Sequence, residues 1–201
     1  MGLEAAFQQG HIKGIKQFEN FVVGCLENSG SLMLPFVISG YEHSGDVDEI
    51  QQYDSLCQAC LNNHVENRAS IRQGNALIHT SCQTFVDSRF QRLEKLLEDG
   101  KVKGHYSVMY GCTCHYLGLS KSTCVETFLF GVLRTVVNSA VRLTTIGSMQ
   151  AQNIQFKCLQ YIPDIIERNI SRTVDDACIS NPLIDIIENT HDNLFSRLFH
   201  S

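Results

Sequence analysis

Cysteine and histidine side chains are the first groups in this sequence that could do chemistry. Cys57, Cys60 and His64 are spaced at i, i+3 and i+7, which predicts that they share one face of a helix. Thiolate and imidazole groups are ligands that suit a transition metal. A closed site needs a fourth ligand and supporting hydrogen-bond partners, and cysteines at helical spacing are more commonly core residues. We therefore interpret this cluster as packing.

A second cluster offers the same soft ligands at closer spacing. Cys112, Cys114 and His115 lie in the run CTCH, and this cluster also lacks a fourth ligand in the nearby sequence. We keep these three residues as weak metal candidates and otherwise predict no metal site.

The common catalytic and nucleotide-binding motifs are absent from the sequence. There is no GxxxxGK[ST], GxGxxG, HExxH or GxSxG pattern, so the corresponding nucleotide-binding, dehydrogenase and hydrolase templates do not apply. His191 lies on the apolar side of a predicted terminal helix, where a lone histidine is more commonly packed with one ring nitrogen hydrogen-bonded than catalytic. We predict no catalytic residue.

The composition is typical of one globular domain. The chain has 201 residues, of which 43% are hydrophobic and 18% charged. The net charge of −5 argues against nucleic acid as a partner, because phosphate binding needs a basic surface. We find no run of about 20 apolar residues and no signal peptide, and so expect no membrane association. Nine cysteines, an odd number, fit reduced thiols in a cytoplasmic protein.

Helical periodicity runs through almost the whole chain, and no alternating run argues for a sheet. The fold class is therefore predicted as all-α, a single-domain helical bundle of about eight to ten helices. We expect a helix over 17–27 that ends at Asn28-Ser29-Gly30, and one long helix over 65–98. The stretch 124–143 is the most apolar and should be the central buried helix, capped by Ser120 or Ser122.

The chain end is unusually apolar for a terminus. Asn181-Pro182 is a strong helix start, and if the helix continues to the terminus, a set of apolar residues falls near one stripe: Leu183, Ile187, Leu194 and Leu198, flanked by Phe195 and Phe199. Such a stripe predicts either a docking surface for a partner or a segment that folds back on its own domain. Periodicity alone leaves both open.

Five segments in order carry a resemblance to one known family. GLEAA at 2–6, RASIRQGNAL at 68–77, HYSVMYG at 105–111, SAVRL at 139–143 with Gly147, and LFSRLFHS at the terminus resemble motifs of the urease accessory protein UreF family. The chain begins within the first of these motifs, and we interpret it as an N-terminally short member. It differs from the family pattern at Ser107, at 144–146, at Ser148 and at His200.

The resemblance implies an all-α, non-enzymatic chaperone that forms a homodimer in the cytoplasm. It implies that the protein binds the accessory protein UreD, also called UreH, and recruits the GTPase UreG to urease apoprotein for nickel delivery. Nickel would be the cargo of that complex, with no cofactor bound permanently. One UreF-like domain would cover 1–201, with a partner-docking helix or tail at 182–201.

The same resemblance suggests which residues bind partners. Glu4 and Arg142 match family positions associated with control of the GTPase, and Arg197 matches a terminal arginine that becomes ordered in the complex. The full set of expected partner-binding residues is Glu4, Arg142, Gly147, His191, Leu194, Phe195, Arg197, Leu198 and Phe199. For Glu4 the alternative is a solvated or first-turn helix charge, and for Arg142 an ion pair within the domain.

Two other functions remain open from the sequence. The first is a metalloprotein in which Cys112, Cys114, His115 and His191 handle nickel directly. The second is a degenerate paralogue that dimerises but has lost its GTPase-docking function.

Overall fold

The structure, a computed structural model, describes residues 2–199 and contains no strand within them. The all-α prediction is confirmed. The helices are α1 Leu3–Gln8, α2 Ile15–Asn28, α3 Leu34–Glu42, α4 Val47–Cys60, α5 His64–Thr84, α6 Ser88–Glu98, α7 Tyr106–Tyr116, α8 Lys121–Arg142, α9 Ser148–Leu159, α10 Ile162–Asn169 and α11 Pro182–Asn189. Short 3₁₀ turns at Val174–Asp176 and Thr190–Asn193 complete the described fold.

Helix α8 is central, as the sequence predicts. Ser120 caps it, because its hydroxyl accepts the Thr123 backbone N–H at 3.1 Å. Along the helix, nine side chains are buried: Cys124, Val125, Phe128, Leu129, Val132, Leu133, Val136, Val137 and Ala140. The opposite side, including Arg134 and Thr135, is exposed. The helix is therefore amphipathic rather than apolar around its whole circumference.

Glycines let the backbones of α3 and α7 pack in direct contact. A Cβ atom on Gly40 would lie 2.3 Å from the Val108 carbonyl oxygen, and one on Gly111 would lie 2.1 Å from that of Val37. In the sequence, the glycines at 111 and 118 predict that neighbouring backbones approach closely, and at Gly111 this prediction is confirmed. At Gly118 the prediction is wrong, since a Cβ there would meet nothing within 4 Å; with its positive φ of 74°, this glycine ends α7 instead.

A buried polar network fixes the segment before α7. The Asp54 carboxylate, 1% exposed, accepts the backbone N–H groups of Lys103, Gly104 and His105 at 2.5, 3.1 and 2.8 Å. The His105 ring lies 3.2 Å from the Ser70 hydroxyl. These contacts connect α4, α5 and the start of α7 at a buried site where each of these polar groups has a partner.

Two helix boundaries differ from the sequence prediction. The chain does not stop at Asn28-Ser29-Gly30 but continues from α2 into α3 through a π-helical turn, Ser29–Met33. Burial favours continuation here, because Gly30, Leu32 and Met33 lie in the interior. The predicted helix over 65–98 is two helices, broken at 85–87, where Asp87 caps α6 by accepting the Arg89 backbone N–H at 2.9 Å.

Within residues 2–199, two stretches are long and apolar enough to span a membrane, contrary to our expectation that no apolar run approaches the length of a membrane span. They are Ile15–Glu42 and Lys121–Arg142, and 67% and 50% of their most apolar windows are buried within the protein. Core packing accounts for much of this apolar character, as in central helices of globular proteins.

Candidate functional site

The chain end does not continue as the predicted helix. Helix α11 begins at Pro182 as expected but ends at Asn189, and a 3₁₀ turn follows at Thr190–Asn193. The Thr190 hydroxyl donates to the Ile187 carbonyl oxygen at 2.7 Å, a local bond that competes with further helix. Residues 194–199, called the tail here, are non-helical. The single helical stripe ending at Leu198 is therefore wrong.

Two side chains of helix α1 hydrogen-bond to the backbone of the tail. The Glu4 carboxylate, 4% exposed, accepts the Leu198 N–H at 2.7 Å and the Phe199 N–H at 3.2 Å, one on each oxygen. One turn later, the Gln8 amide donates to the Ser196 carbonyl oxygen at 2.9 Å. A buried carboxylate is tolerated here because backbone donors replace its water. Glu4 is thus not a solvated charge, although it does lie in the first turn of α1 as the alternative interpretation predicts.

Phe199 is held by two further groups from different elements. Its ring lies 4.8 Å below the guanidinium carbon of Arg142, at the end of α8. Its carbonyl oxygen accepts a hydrogen bond from His191 Nε2 at 3.1 Å. His191 is 3% exposed, so this residue is packed. The structure therefore brings together Glu4, Arg142 and the terminal segment that holds His191 and Phe199, three regions that are far apart in the sequence.

Arg197 binds a carboxylate that it shares with Arg68 and His64. Its guanidinium lies 2.8 Å from Asp192, which also accepts two hydrogen bonds from Arg68 and lies 3.0 Å from His64 Nε2. Hydrogen bonding from Arg68 first, and then from His64, lowers the pKa of Asp192 to about 2. Asp192 stays ionised and orients the base of the tail.

The tail's apolar side chains differ in exposure. Leu194 packs against the core, whereas Phe195 is fully exposed and Leu198 is 48% exposed. On α11, Leu183 and Ile186 are also more than half exposed. Phe195 and Leu198 therefore present apolar surface outward while their backbone is anchored.

Gly147 lies apart from these anchors. It is the N-cap of α9, where its N–H donates to Gln150 Oε1 at 3.3 Å. The turn before it carries a left-handed residue, Thr144, with a φ of 56°. Gly147 is thus linked to Arg142 by the turn between them. In the part of the chain that the structure describes, Gly147 makes no hydrogen bond to the tail.

Sequence reasoning missed three residues of this arrangement. Gln8 anchors the tail, Asp192 binds Arg68, His64 and Arg197, and Ile186 exposes an apolar side chain on α11. Gln8 follows Glu4 at i+4, so helical spacing could have placed both on one face of α1. No local pattern identifies Asp192 as a shared acceptor.

The two cysteine and histidine clusters are not brought together as ligand sets. Helix α4 ends at Cys60 and His64 begins α5, so the prediction that Cys57, Cys60 and His64 share one helix face is wrong. In residues 2–199, no three side chains of His, Cys, Asp or Glu converge to hold a metal ion.

The CTCH residues point to different neighbours. Cys112 is fully buried and its thiol donates to the Gly40 carbonyl oxygen at 3.2 Å. Burial raises the pKa of this thiol to about 12, which disfavours a thiolate ligand. The exposed His115 ring instead meets Tyr41 edge-on, with centroids 5.1 Å apart.

Comparison with known proteins gives consistent matches. The family model described as UreF matches residues 12–159. Urease accessory protein F of Arabidopsis thaliana is 32% identical over 202 residues, covering 100% of this chain and 84% of that protein. The protein of the same name from Oryza sativa subsp. indica is 32% identical over 98% of this chain and 76% of its own length. Urease accessory protein UreF of Trichodesmium erythraeum is 28% identical over 98% and 87%.

Proposed function

This chain belongs to the UreF family of urease accessory proteins, and from that membership we propose that it is a non-catalytic assembly factor for the nickel centre of urease. In this proposal it works in the cytoplasm as a homodimer. It binds UreD, also called UreH, and recruits the GTPase UreG to urease apoprotein. Nickel is cargo of the assembly rather than a resident cofactor of this chain.

One observation carries the proposal, namely the way the tail is anchored. Glu4 of α1 holds the Leu198 and Phe199 N–H groups, while Arg142 at the end of α8 lies on the Phe199 ring. Three segments that resemble family motifs therefore meet at one place. A partner that binds the tail would change the surroundings of both Glu4 and Arg142.

The exposure of the tail supports the choice of contact residues. Phe195 and Leu198 offer apolar surface without requiring any part of the core to open. We propose that UreD covers these two side chains, because an apolar pair on an anchored backbone loses little conformational entropy on binding. Leu194, Gly147, His191 and Phe199 then act by supporting the tail and the turn after α8.

Charge suggests where the GTPase acts. Arg142 is exposed and lies next to the turn that leads to Gly147, so its guanidinium remains available to a carboxylate of a second protein. We propose that UreG contacts this end of α8, and that UreD seated on the tail fixes the position of Arg142 through Phe199. Recruitment of the GTPase thereby depends on the first partner.

Coexpression pull-down tests this proposal. The wild-type chain should capture UreD, and UreG only when UreD is present. The double variant Phe195→Asp and Leu198→Asp should lose UreD by at least tenfold, since each buried apolar contact becomes a desolvated charge. Val86→Asp is the matched control, because Val86 is fully exposed in the turn between α5 and α6.

The outcomes separate the alternatives. Undiminished UreD binding by the double variant would reject the tail as the docking surface. Binding of UreD without any recruitment of UreG would indicate the degenerate paralogue. Stoichiometric nickel binding that is lost on Cys112→Ala and Cys114→Ala would favour a direct nickel carrier.

A further inference from the structure

Helices α7 and α8 pack side by side as a hairpin, joined by the short connection 117–120. The Tyr110 hydroxyl of α7 donates to the Thr127 hydroxyl of α8 at 2.9 Å. Farther from the connection, the rings of Tyr106 and Phe128 lie 6.1 Å apart between centroids. These cross-helix contacts fix which residues of α7 face which residues of α8.

Two cysteines face each other in this hairpin, one turn nearer the connection. Cys114 follows Tyr110 by four residues and Cys124 precedes Thr127 by three, so each cysteine lies on the same helix face as its neighbour. The two thiols hydrogen-bond to each other across the helix interface. Cys114 is 3% exposed and Cys124 is fully buried. We call these two residues the thiol pair.

The third cysteine of the region belongs to a different contact. Cys112 precedes Cys114 by two residues, which turns its side chain about 200° around the helix. Its thiol donates to the Gly40 carbonyl oxygen of α3 at 3.2 Å. In residues 2–199, no third side chain of the metal-ligating types joins the thiol pair. Two thiols in contact without further ligands suit oxidation to a disulfide better than metal binding.

We propose that Cys114 and Cys124 form a modification site, where a peroxide oxidises the two thiols to a reversible disulfide. The Cys114 thiolate attacks one oxygen of hydrogen peroxide, the O–O bond breaks, and a sulfenic acid and one water are formed. The Cys124 sulfur then attacks the sulfenic sulfur, the S–S bond forms, and the hydroxyl group leaves with the Cys124 proton as a second water. The thiols lose two electrons, which reduce one peroxide to two waters.

The surroundings of the thiol pair give the two sulfurs different roles. Hydrogen bonding from the Cys124 thiol lowers the pKa of Cys114 against the opposing effect of burial. The same hydrogen bond, together with burial, raises the pKa of Cys124. Burial raises the pKa of Cys25, Cys57 and Cys112 to about 12. Cys114 is therefore the more readily ionised nucleophile, and Cys124 resolves the sulfenic acid.

The position of the thiol pair gives a small oxidant a route to it. Cys114 lies in the last turn of α7, and all four residues of the connection 117–120 are exposed. Helix ends open locally at a lower free energy than the core. The inference does not depend on the proposed function, because both sulfurs belong to one chain and no partner protein is needed.

Peptide mapping tests the proposed disulfide. Trypsin cleaves after Lys103, Lys121 and Arg134, which places Cys114 in fragment 104–121 and Cys124 in fragment 122–134. The native chain is treated with hydrogen peroxide, its remaining thiols are alkylated under denaturing conditions, and the digest is analysed by mass spectrometry. The two fragments should be recovered as one linked species that dithiothreitol separates. Failure of the native wild-type chain to give this species would overturn the proposal.

Single variants identify the sulfurs that are linked. Cys114→Ala and Cys124→Ala should each abolish the linked species. Cys112→Ser is the matched control, because residue 112 lies in the same fragment and serine can donate the same hydrogen bond to Gly40. Circular dichroism verifies that all three variants fold. A linked species that persists in Cys114→Ala, or that is lost in Cys112→Ser, would contradict the assignment.

Unfolding in urea tests whether the helices hold the sulfurs in position to bond. The oxidised wild-type chain should unfold at a higher urea concentration than the reduced chain, because the disulfide restricts the unfolded chain. Cys114→Ala treated in the same way should show no such shift. A lower midpoint for the oxidised wild-type chain would mean that the disulfide strains the hairpin, and would overturn the inferred arrangement.

Discussion

The α3–α7 contact and the tail are held in opposite ways. At the first, backbone meets backbone, and Gly40 and Gly111 leave no room for even a methyl group. At the second, three side chains from α1 and α8 hold six residues by hydrogen bonds and one ring contact, while Phe195 remains fully exposed. Close packing gives the interior one arrangement. A few polar anchors give the tail a defined position that a partner can change.

The largest effect is expected where backbones touch. Gly111→Ala should destabilise the protein by about 4 kcal/mol or prevent folding, because the new methyl group overlaps the Val37 carbonyl and α3 would have to move away. Gly131→Ala on α8 is the matched control, since a Cβ there meets nothing within 4 Å. It should be neutral or stabilising by up to about 1 kcal/mol. Urea unfolding measures both, and equal effects would contradict the packing described.

The buried carboxylate below α7 should give the next largest effect. Asp54→Ala leaves three backbone N–H groups without their acceptor and should cost about 3 kcal/mol in the free energy of unfolding. Asp48→Ala, in an exposed part of the first turn of α4, should cost less than about 1 kcal/mol. A loss at Asp54 no greater than at Asp48 would argue against a structural role for the network.

Acid should lower the free energy of unfolding through protonation of His105. Burial lowers the pKa of His105 below 6.5, so below that pH the unfolded chain binds a proton that the folded chain resists. Stability should therefore fall as the pH decreases from 6.5 toward the folded-state pKa, and be regained as the pH rises. Unfolding curves at several pH values should show a slope that is smaller in His105→Gln. His79→Gln serves as control because that side chain is 65% exposed, and it should keep the slope.

The smallest effect on stability, and the largest on the tail, is expected for Glu4→Gln. The neutral amide has a single oxygen, so it accepts only one of the two backbone N–H groups and turns an NH2 group toward the other, which should cost about 1 kcal/mol. The Arg197–Leu198 bond contains one of these N–H groups, so trypsin should cleave there at least about fivefold faster. Glu42→Gln, which removes only an exposed ion pair with Lys121, should leave the cleavage rate unchanged. Unchanged cleavage in Glu4→Gln would show that this carboxylate does not restrain the tail.

Some features of this structure can be predicted from the sequence, and others cannot. Local signals narrow the α8 cap to Ser120 or Ser122 and identify the start of α11 at Pro182 and the central position of α8, because hydrogen bonds between near neighbours and apolar composition determine them. The π-helical turn at Ser29–Met33 depends on burial within the fold, so no pattern of neighbouring residues predicts it. The anchoring of Phe199 by Glu4 joins residues 195 positions apart. The family motifs mark these residues, but the spacing along the chain cannot show that they meet.

Capture of UreD by tail variants tests the central claim most directly. In matched pull-downs, the chain with Phe195→Asp and Leu198→Asp should retain its fold and dimer but lose UreD, and with it UreG, while Val86→Asp binds both like wild type. Equal capture of UreD by the double variant and the wild-type chain would contradict the account.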